Sequence, residues 1–405
     1  MTDHLELRHG PKVIGVLERS SGSSVTLRYS NEVLDSVETG RIVVSCSAPV
    51  QQAPVNVTAW CRGLLPEGQH LHALAARADV AASDTFGLLR RYGRDIAGAF
   101  EIVTVDPPPR DPDIAIYGPG ELDAAILNLE DEPLGIADDS ELSLAGLQDK
   151  MTAVRIEDRW ARPIHGYPST HILKVDSTTH RGIVAAEAAC LRLALAVGLT
   201  TIDASVTVVG DRDVLIVPRY DRSIERNGTV VRLHQEDLLQ ALGVNPADRR
   251  ERAKYQHSSS APSWWRCADL LDSYSDNWNH EVSRLIAAMT FTTAIGNGDC
   301  HAKNVSLMIN DGTVTLAPLY DTVPTMLWPA LRDRAALWVN DVRRNSAITG
   351  ADLVEEAVRF RVPVGRAASA VEDTLEEMTA NLRVLDHEEA FEAITANIDR
   401  LRRSL

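Results

Sequence analysis

The 405-residue chain lacks the usual quick signatures. Its five cysteines, at positions 46, 61, 190, 267 and 300, lie far apart with no C-x-x-C pair. An odd, scattered set excludes a disulfide framework, argues against a structural zinc site and suits a reducing cytoplasm. No apolar run is long enough to span a bilayer and no signal-peptide pattern opens the chain, so no membrane role is expected. Positive charge is in deficit: 41 Lys and Arg stand against 57 Asp and Glu, a net charge of −16. That argues against unaided, nonspecific nucleic-acid binding by the whole chain and leaves room for a basic partner. What is present is ordinary: 44% apolar and 24% charged residues, the composition of a soluble globular protein. The length suggests two or three domains.

The most informative stretch is 296–321. Gly296, Asn297, Gly298 and Asp299 lead through Cys300, His301, Ala302 and Lys303 to Asn304. An alternating run follows, with Val305, Leu307 and Ile309 on one face. Asn310-Asp311-Gly312 is a strong hairpin signal, and the return strand leads to Asp321. An Asp, an Asn five positions later, a hairpin and a second Asp is the layout of a phosphotransferase catalytic loop followed by its metal-binding Asp. In that layout Asp299 takes the acceptor proton, while Asn304 and Asp321 offer the oxygen ligands that magnesium prefers. On spacing alone, a surface turn rich in Asp and Asn is the competing reading.

The rest of the chain is read in order. Residues 1–105 read as a β-rich module, with strands at 13–17 and 24–29, a helix near 71–81 and a strand at 100–105. Glu67 and Asp95 read as capping or solvated turn carboxylates. Residues 106–140, rich in Pro and acid, read as a linker. Residues 141–255 then read as a second β-rich lobe. A small-residue loop, Ser143 to Lys150, which is neither G-x-G-x-x-G nor a P-loop, feeds a strand at 151–156. The strand at 169–175 carries Lys174, and a helix at 184–197 carries Glu187 in its first turns and stops at Gly198. A hairpin spans 206–217, Pro218 to Arg222 leave it, and His234 to Asp237 read as opening a helix, with His234 a brace. From 256 the pattern is helical. Val282, Leu285, Ile286 and Met289 recur at helical spacing, and three further helices are expected at 351–361, 367–385 and 387–402. Trp264, Trp265 and Trp278 are expected in the core, and Arg400, Arg402 and Arg403 in solvent.

Taken together, this order resembles the HipA family of toxin kinases, found in type II toxin–antitoxin modules. The residues that carry the resemblance are Leu64–Gly68, Gly93–Ala99, Ser143–Lys150, Ser169–Lys174, Pro218–Arg222, His234–Asp237, Gly296–Asn304 and Pro318–Asp321. The resemblance covers nearly the whole chain. It implies an α+β, bilobal protein-kinase-like (phosphatidylinositol-kinase-like) fold, with an N-terminal β-rich module, an ATP-binding lobe and an all-helical C-terminal lobe over 256–405. It implies a serine/threonine protein kinase that uses ATP and Mg2+. Asp299 resembles the family's catalytic base, Asn304 and Asp321 its metal ligands, and Lys174 its phosphate lysine. Ala145, Gly146, Leu147, Gln148, Asp149 and Lys150 correspond to its ATP-covering loop. Pro218, Arg219 and Tyr220 correspond to its adenine hinge, and His301, Ala302 and Lys303 lie where the family contacts nucleotide. Ser143 matches a serine that such kinases phosphorylate on themselves to switch off, an event that adds about −1.5 to −2 charge to the loop.

The implied partners are ATP, a protein substrate of the translation apparatus such as an aminoacyl-tRNA synthetase, and a separate helix-turn-helix antitoxin through which DNA is reached. The implied setting is the cytoplasm. Leu147, Asp149, Pro218 and Cys300 depart from the family pattern. Two other readings stand beside the toxin kinase. One is a catalytically weak kinase-like protein serving as corepressor with a DNA-binding partner. The other is a small-molecule or lipid kinase on the same fold.

Overall fold

Alternation of apolar and polar residues near the N-terminus builds the first sheet seen in a computed structural model of the chain. The structure describes residues 4–20, 24–106, 109–129, 149–176, 181–246, 253–331 and 333–405. The chain divides into two units. The first comprises Met1–Val175, Thr207–Ala247 and Ile309–Gly312, and the second Asp176–Val206, Asp248–Met308 and Thr313–Leu405.

In the first unit, an antiparallel sheet runs in the order Val55–Asn56, Val25–Tyr29, Lys12–Arg19, His4–His9, Glu101–Val103. Its inward residues Leu5, Leu7, Leu17 and Leu27 pack with Trp60, Leu74, Leu88 and Ile102 into one core. Helices Thr58–Gly63, Gly68–Arg77 and Thr85–Tyr92 supply the other side. Short amphipathic helices of six to ten residues carry too few turns to stand out by period, so two of these three were not foreseen.

A second antiparallel sheet pairs Arg212–Pro218 with His171–Val175, that strand with Lys150–Ile156, then Arg159–Ile164 and Asp113–Ile116. The stretch 106–140, read as a linker, therefore contributes a strand, and helix Glu121–Leu127 follows it. Four of its prolines lie at 107–112, upstream of the strand, and the other two at 119 and 133, beyond it, so none interrupts the ladder. The hairpin expected at 206–217 forms as Ser205–Val209 and Arg212–Pro218. Gln235–Asp237 is a strand and not the first turn of a helix. Asp237 then caps the short helix Leu238–Ala241 in a capping box with Gln240.

Asp95 overturns the expectation of a solvated turn carboxylate. It is 1% exposed. Its Oδ1 lies 3.0 Å from Arg222 Nη2, 3.3 Å from Arg232 Nη1 and 3.7 Å from Arg219 Nη1. Its Oδ2 accepts the Ser169 N–H at 3.2 Å. Arg219 also grips Asp221 by two parallel bonds, Nε to Oδ1 at 2.9 Å and Nη2 to Oδ2 at 2.8 Å. Burial alone would raise the pKa of both carboxyls, but the guanidiniums around them override it and hold both below the ordinary range. Gly98 completes the knot. At φ +84° its N–H donates to Asp221 Oδ2 at 2.8 Å. A Cβ there would lie 2.9 Å from Gln235 O, so only glycine fits.

Beside the knot, Glu236 is fully buried, with Oε1 accepting the Cys46 N–H at 2.8 Å. Burial pushes its pKa up to about 7. His234 braces the same segment, its Nε2 lying 2.8 Å from Val44 O, and burial pulls it down to about 4.

The second unit is mainly helical. Helix Trp278–Ala294 buries Val282, Leu285, Ile286 and Met289, the stripe expected from sequence. The three expected C-terminal helices are Gly350–Arg359, Val364–Asn381 and Glu388–Arg402. Trp264 is in the core, but Trp265 and Trp278 are only partly covered, since both fall on the outer side of their first helical turns. Helix Ile183–Ala196 buries Glu187, which is therefore not the solvated acid a helix N-terminus favours. Among the described residues no helix is long and apolar enough to cross a membrane.

Two predictions follow from the buried charges. Asp95→Ala leaves three guanidiniums without their shared partner and is expected to cost about 3–5 kcal/mol in urea unfolding at neutral pH. Glu236 is expected to stabilise the fold in its protonated form. Its contribution is fully present below the unfolded-chain value of 4.5 and lost as the pH rises through about 7, a span worth about 3 kcal/mol. Glu236→Gln should therefore gain stability relative to the parent between pH 5 and 8, read as the difference of two urea titrations.

Candidate active site

Glycine at the end of a helix sets the loop that carries Asp299. Helix Trp278–Ala294 closes at Ile295, and Gly296 turns the chain out at φ +68°. A Cβ on Gly296 would collide with the Met326 side chain. Thr325 fixes the next two residues: its Oγ1 donates to Gly296 O at 3.1 Å and accepts the Gly298 N–H at 2.7 Å. Asn297 then uses both ends of its amide. Oδ1 accepts the Asp299 N–H at 3.0 Å, and Nδ2 donates to Asp321 O at 3.2 Å.

The hairpin behaves as the alternation predicted. Strands Ser306–Asn310 and Thr313–Leu316 are joined by Asp311 at φ +49° and Gly312 at φ +80°. Two successive positive φ angles make the turn type favoured in two-residue hairpins. The Ala317 N–H donates to Ser306 O at 2.9 Å, and the chain arrives at Asp321 beside the start of the loop. Asp321 itself sits at φ +55°, a conformation that a non-glycine residue keeps only when its surroundings demand it.

Asn304 joins the three expected residues. Its Nδ2 donates to Asp299 O at 3.1 Å and to Asp321 Oδ2 at 2.8 Å. Asn304 is 7% exposed, so the pairing is largely shielded from water. With both amide protons engaged, the Asn304 carbonyl oxygen and the Asp321 carboxylate form a pair of hard oxygen donors. That set fits magnesium, which takes one or two protein oxygens and completes its shell with water and phosphate. Among the described residues no group of three or more His, Cys, Asp or Glu side chains forms a metal cage.

Around this centre, Tyr320 Oη donates to Lys303 O at 2.7 Å, and Ser306 Oγ lies 2.7 Å from the same hydroxyl. Lys303, His301 and Ala302 are buried. Burial pushes the Cys300 thiol up to about 12, so it is no nucleophile at neutral pH.

A segment that the sequence left unremarked flanks the loop. The Ala302 N–H donates to Lys254 O at 3.0 Å, and the Ala336 N–H to Gly298 O at 3.1 Å. Tyr255 Oη donates to Asp299 Oδ1 at 3.3 Å, while its ring stands edge-on to His301 with centroids 5.5 Å apart. No local motif marks Tyr255; the only signal was an isolated aromatic in a polar stretch.

The other expected residues lie in the first unit. Lys174, 8% exposed, sits mid-strand with Lys150 as its register partner on one side and Leu215 on the other. Asp149 O accepts the Val175 N–H at 3.1 Å, and its Oδ1 lies 3.2 Å from Nε2 of the buried His70. The Arg219 side chain is enclosed in the ionic knot, and its N–H donates to Thr170 O at 2.9 Å. Pro218 ends its strand, and Tyr220 Oη donates to Gln235 Oε1 at 3.0 Å. Ser143, Ala145, Gly146, Leu147 and Gln148 lie outside the described residues.

With this geometry in place, comparison with known proteins is informative. A model of the HipA N-terminal domain matches residues 5–103, and one of the HipA-like C-terminal domain matches residues 142–383. The protein Y4mE of Sinorhizobium fredii is 34% identical over 340 residues, 80% of this chain and 78% of its own length. The serine/threonine-protein kinase toxin HipA of Shewanella oneidensis is 26% identical over 347 residues, 81% of this chain and 78% of its own. A solved Shewanella oneidensis complex of HipA, HipB and its operator DNA superposes with a TM-score of 0.80 at 21% identity, over 99% of this chain and 96% of the other. That likeness is one of fold.

Proposed function

This chain belongs to the HipA family, and on that premise we propose that it transfers the γ-phosphoryl group of ATP to a serine or threonine hydroxyl of a protein substrate. The observation that carries the reading is the Asn304 amide, which draws Asp299 and Asp321 together from either side of a hairpin. Asp299 accepts the hydroxyl proton as the substrate oxygen bonds to the γ-phosphorus. The bond from that phosphorus to the bridging oxygen breaks, and its electron pair leaves on ADP. Magnesium, when bound, neutralises phosphate charge; Asn304 and Asp321 are the residues that would hold it. Tyr255 positions the Asp299 carboxylate. Lys174 is the phosphate lysine of this proposal. Its register partner in the sheet is Lys150.

The finer features carried by the resemblance belong to the same proposal. The fold is read as bilobal and protein-kinase-like, with domain limits near 1–105, 141–255 and 256–405. Ala145 to Lys150 cover ATP, Pro218 to Tyr220 face adenine, and His301 to Lys303 touch nucleotide. Phosphorylation of Ser143 is the off-switch. The substrate is a translation component such as an aminoacyl-tRNA synthetase. A separate helix-turn-helix antitoxin neutralises the kinase and carries it to DNA, in the cytoplasm. The net charge of −16 favours docking on a basic partner.

The test is intact mass and peptide mapping after incubation with Mg-ATP. The parent chain should gain phosphate, with Ser143→Ala losing the gain at that position. Asp299→Asn should slow transfer by about 10²–10⁴-fold, the worth of a positioned general base. Equal gain by Asp299→Asn would overturn the assigned base, and no gain by the parent chain would overturn the kinase. Tyr255→Phe should lower kcat by about three- to tenfold, the worth of one partly solvated hydrogen bond, and leave the KM for ATP unchanged. A shift of KM instead would move Tyr255 to nucleotide binding.

A further inference from the structure

The second unit contains a cavity of ≈ 500 Å³ whose wall includes Gly296 and Gly298, from the loop that carries Asp299. Its apolar surface comes from Met326, Trp328, Pro329 and Leu331 on one side and from Ala396, on helix Glu388–Arg402, on the other. Met326 is 36% exposed, an apolar side chain left open at the cavity wall. The volume lies within the range of small-ligand sites, about 300–1,000 Å³. It is roomy for one large side chain with its adjoining backbone.

Of the described lining residues, only Asp333 and Arg400 carry charge, and both are engaged by the protein. Asp333 accepts the Ser346 N–H at 2.9 Å and its hydroxyl at 2.5 Å. Arg400 donates to Asn397 Oδ1 and to Ile348 O. Asn397 Nδ2 in turn donates to Thr293 O and Ala294 O, both at 2.9 Å. The polar rim therefore holds its own shape, and the open surface offered to an occupant is mostly apolar.

Position identifies the occupant. Gly298 is the residue before Asp299, so its Cα lies about 3.8 Å from that of the base. A polypeptide with its hydroxyl at Asp299 has its neighbouring residues within reach of this wall, each extended residue spanning roughly 3.3–3.6 Å. We infer that the cavity seats a large apolar side chain of the substrate polypeptide, close in sequence to the serine or threonine that is phosphorylated. The inference rests on the kinase reading above and adds a specificity determinant to it.

Two measurements on one peptide set test it. The set is a positional-scanning library of fluorescent peptides centred on serine, with each flanking position varied in turn. Binding is read without nucleotide, by fluorescence polarisation, on the full chain. Transfer is read with Mg-ATP, using Asp299→Asn as the inactive control. The parent chain should select Leu, Met or Phe over Ala at one flanking position by about tenfold or more. Ala396→Trp fills the cavity from an exposed helix position and should flatten that selection in both measurements. Leu331→Asp, which places a charge in the apolar wall, should do the same, with thermal midpoints showing that both variants fold. Binding without apolar preference, or a preference that survives both substitutions, overturns the inference. Selective binding lost in both variants but with no transfer by the parent chain upholds the docking site and overturns the kinase reading instead.

Discussion

A single primary amide holds the candidate chemistry in register. Asn304 gives both Nδ2 protons to acceptors that lie 5 positions before it and 17 after it in sequence, with Asp299 O at 3.1 Å and Asp321 Oδ2 at 2.8 Å. No other small side chain offers two donors and an acceptor on one plane. A carboxylate here would face Asp321 with no proton between them and push one pKa upward. A lysine would bring donors without the oxygen that a hard cation requires. On the proposed reading the residue type meets two demands at once: it ties the loop to the segment after the hairpin, and it keeps one oxygen for a metal ion.

The first unit depends on a different device. Asp95 and Asp221 are buried with Arg219, Arg222 and Arg232, and backbone groups of Ile96 and Gly98 join them. Desolvating so much charge is costly, so such a knot contributes less to net stability than to fixing one arrangement. Arginine suits the task because its planar fork holds two carboxylate oxygens at once, as Arg219 does with Asp221. The knot fastens residues 94–98 to the segment 219–222, which overlaps residues 218–220, read from sequence as the adenine hinge.

What was legible in the sequence was local. The hairpin at 306–316 was visible because Asn310-Asp311-Gly312 states its own backbone angles. The helices at 278–294 and 350–402 were visible because their apolar stripes repeat every turn. Asp299, Asn304 and Asp321 were visible because their spacing is fixed by the hairpin between them. Asp95 was misread because its arginine partners lie more than 120 positions away, and a carboxylate in a Gly-rich turn looks the same whether solvated or buried. Tyr255 was missed for a similar reason: its one telling bond, to Asp299, spans 44 residues. The strand at 113–116 was hidden by neighbouring prolines, which mark where a ladder cannot run but not where it begins.

The segment 321–326 serves two purposes, and that constrains both. Asp321 at its start is held in a left-handed conformation, with its carbonyl taking the Asn297 amide. Thr325 braces Gly296 and Gly298 through one hydroxyl. The Met326 N–H donates to Gly296 O at 3.2 Å, and its side chain fills the space that glycine leaves open. Met326 is also part of the cavity wall. The Asp299 loop, Asp321 and the cavity are therefore built on one hydrogen-bonded turn. Met326 touches Gly296 directly, and Thr325 links Gly296 to Gly298, one residue from Asp299. Strain at Asp321 persists only while that turn is intact. The cavity wall and the loop that carries Asp299 thus share one turn.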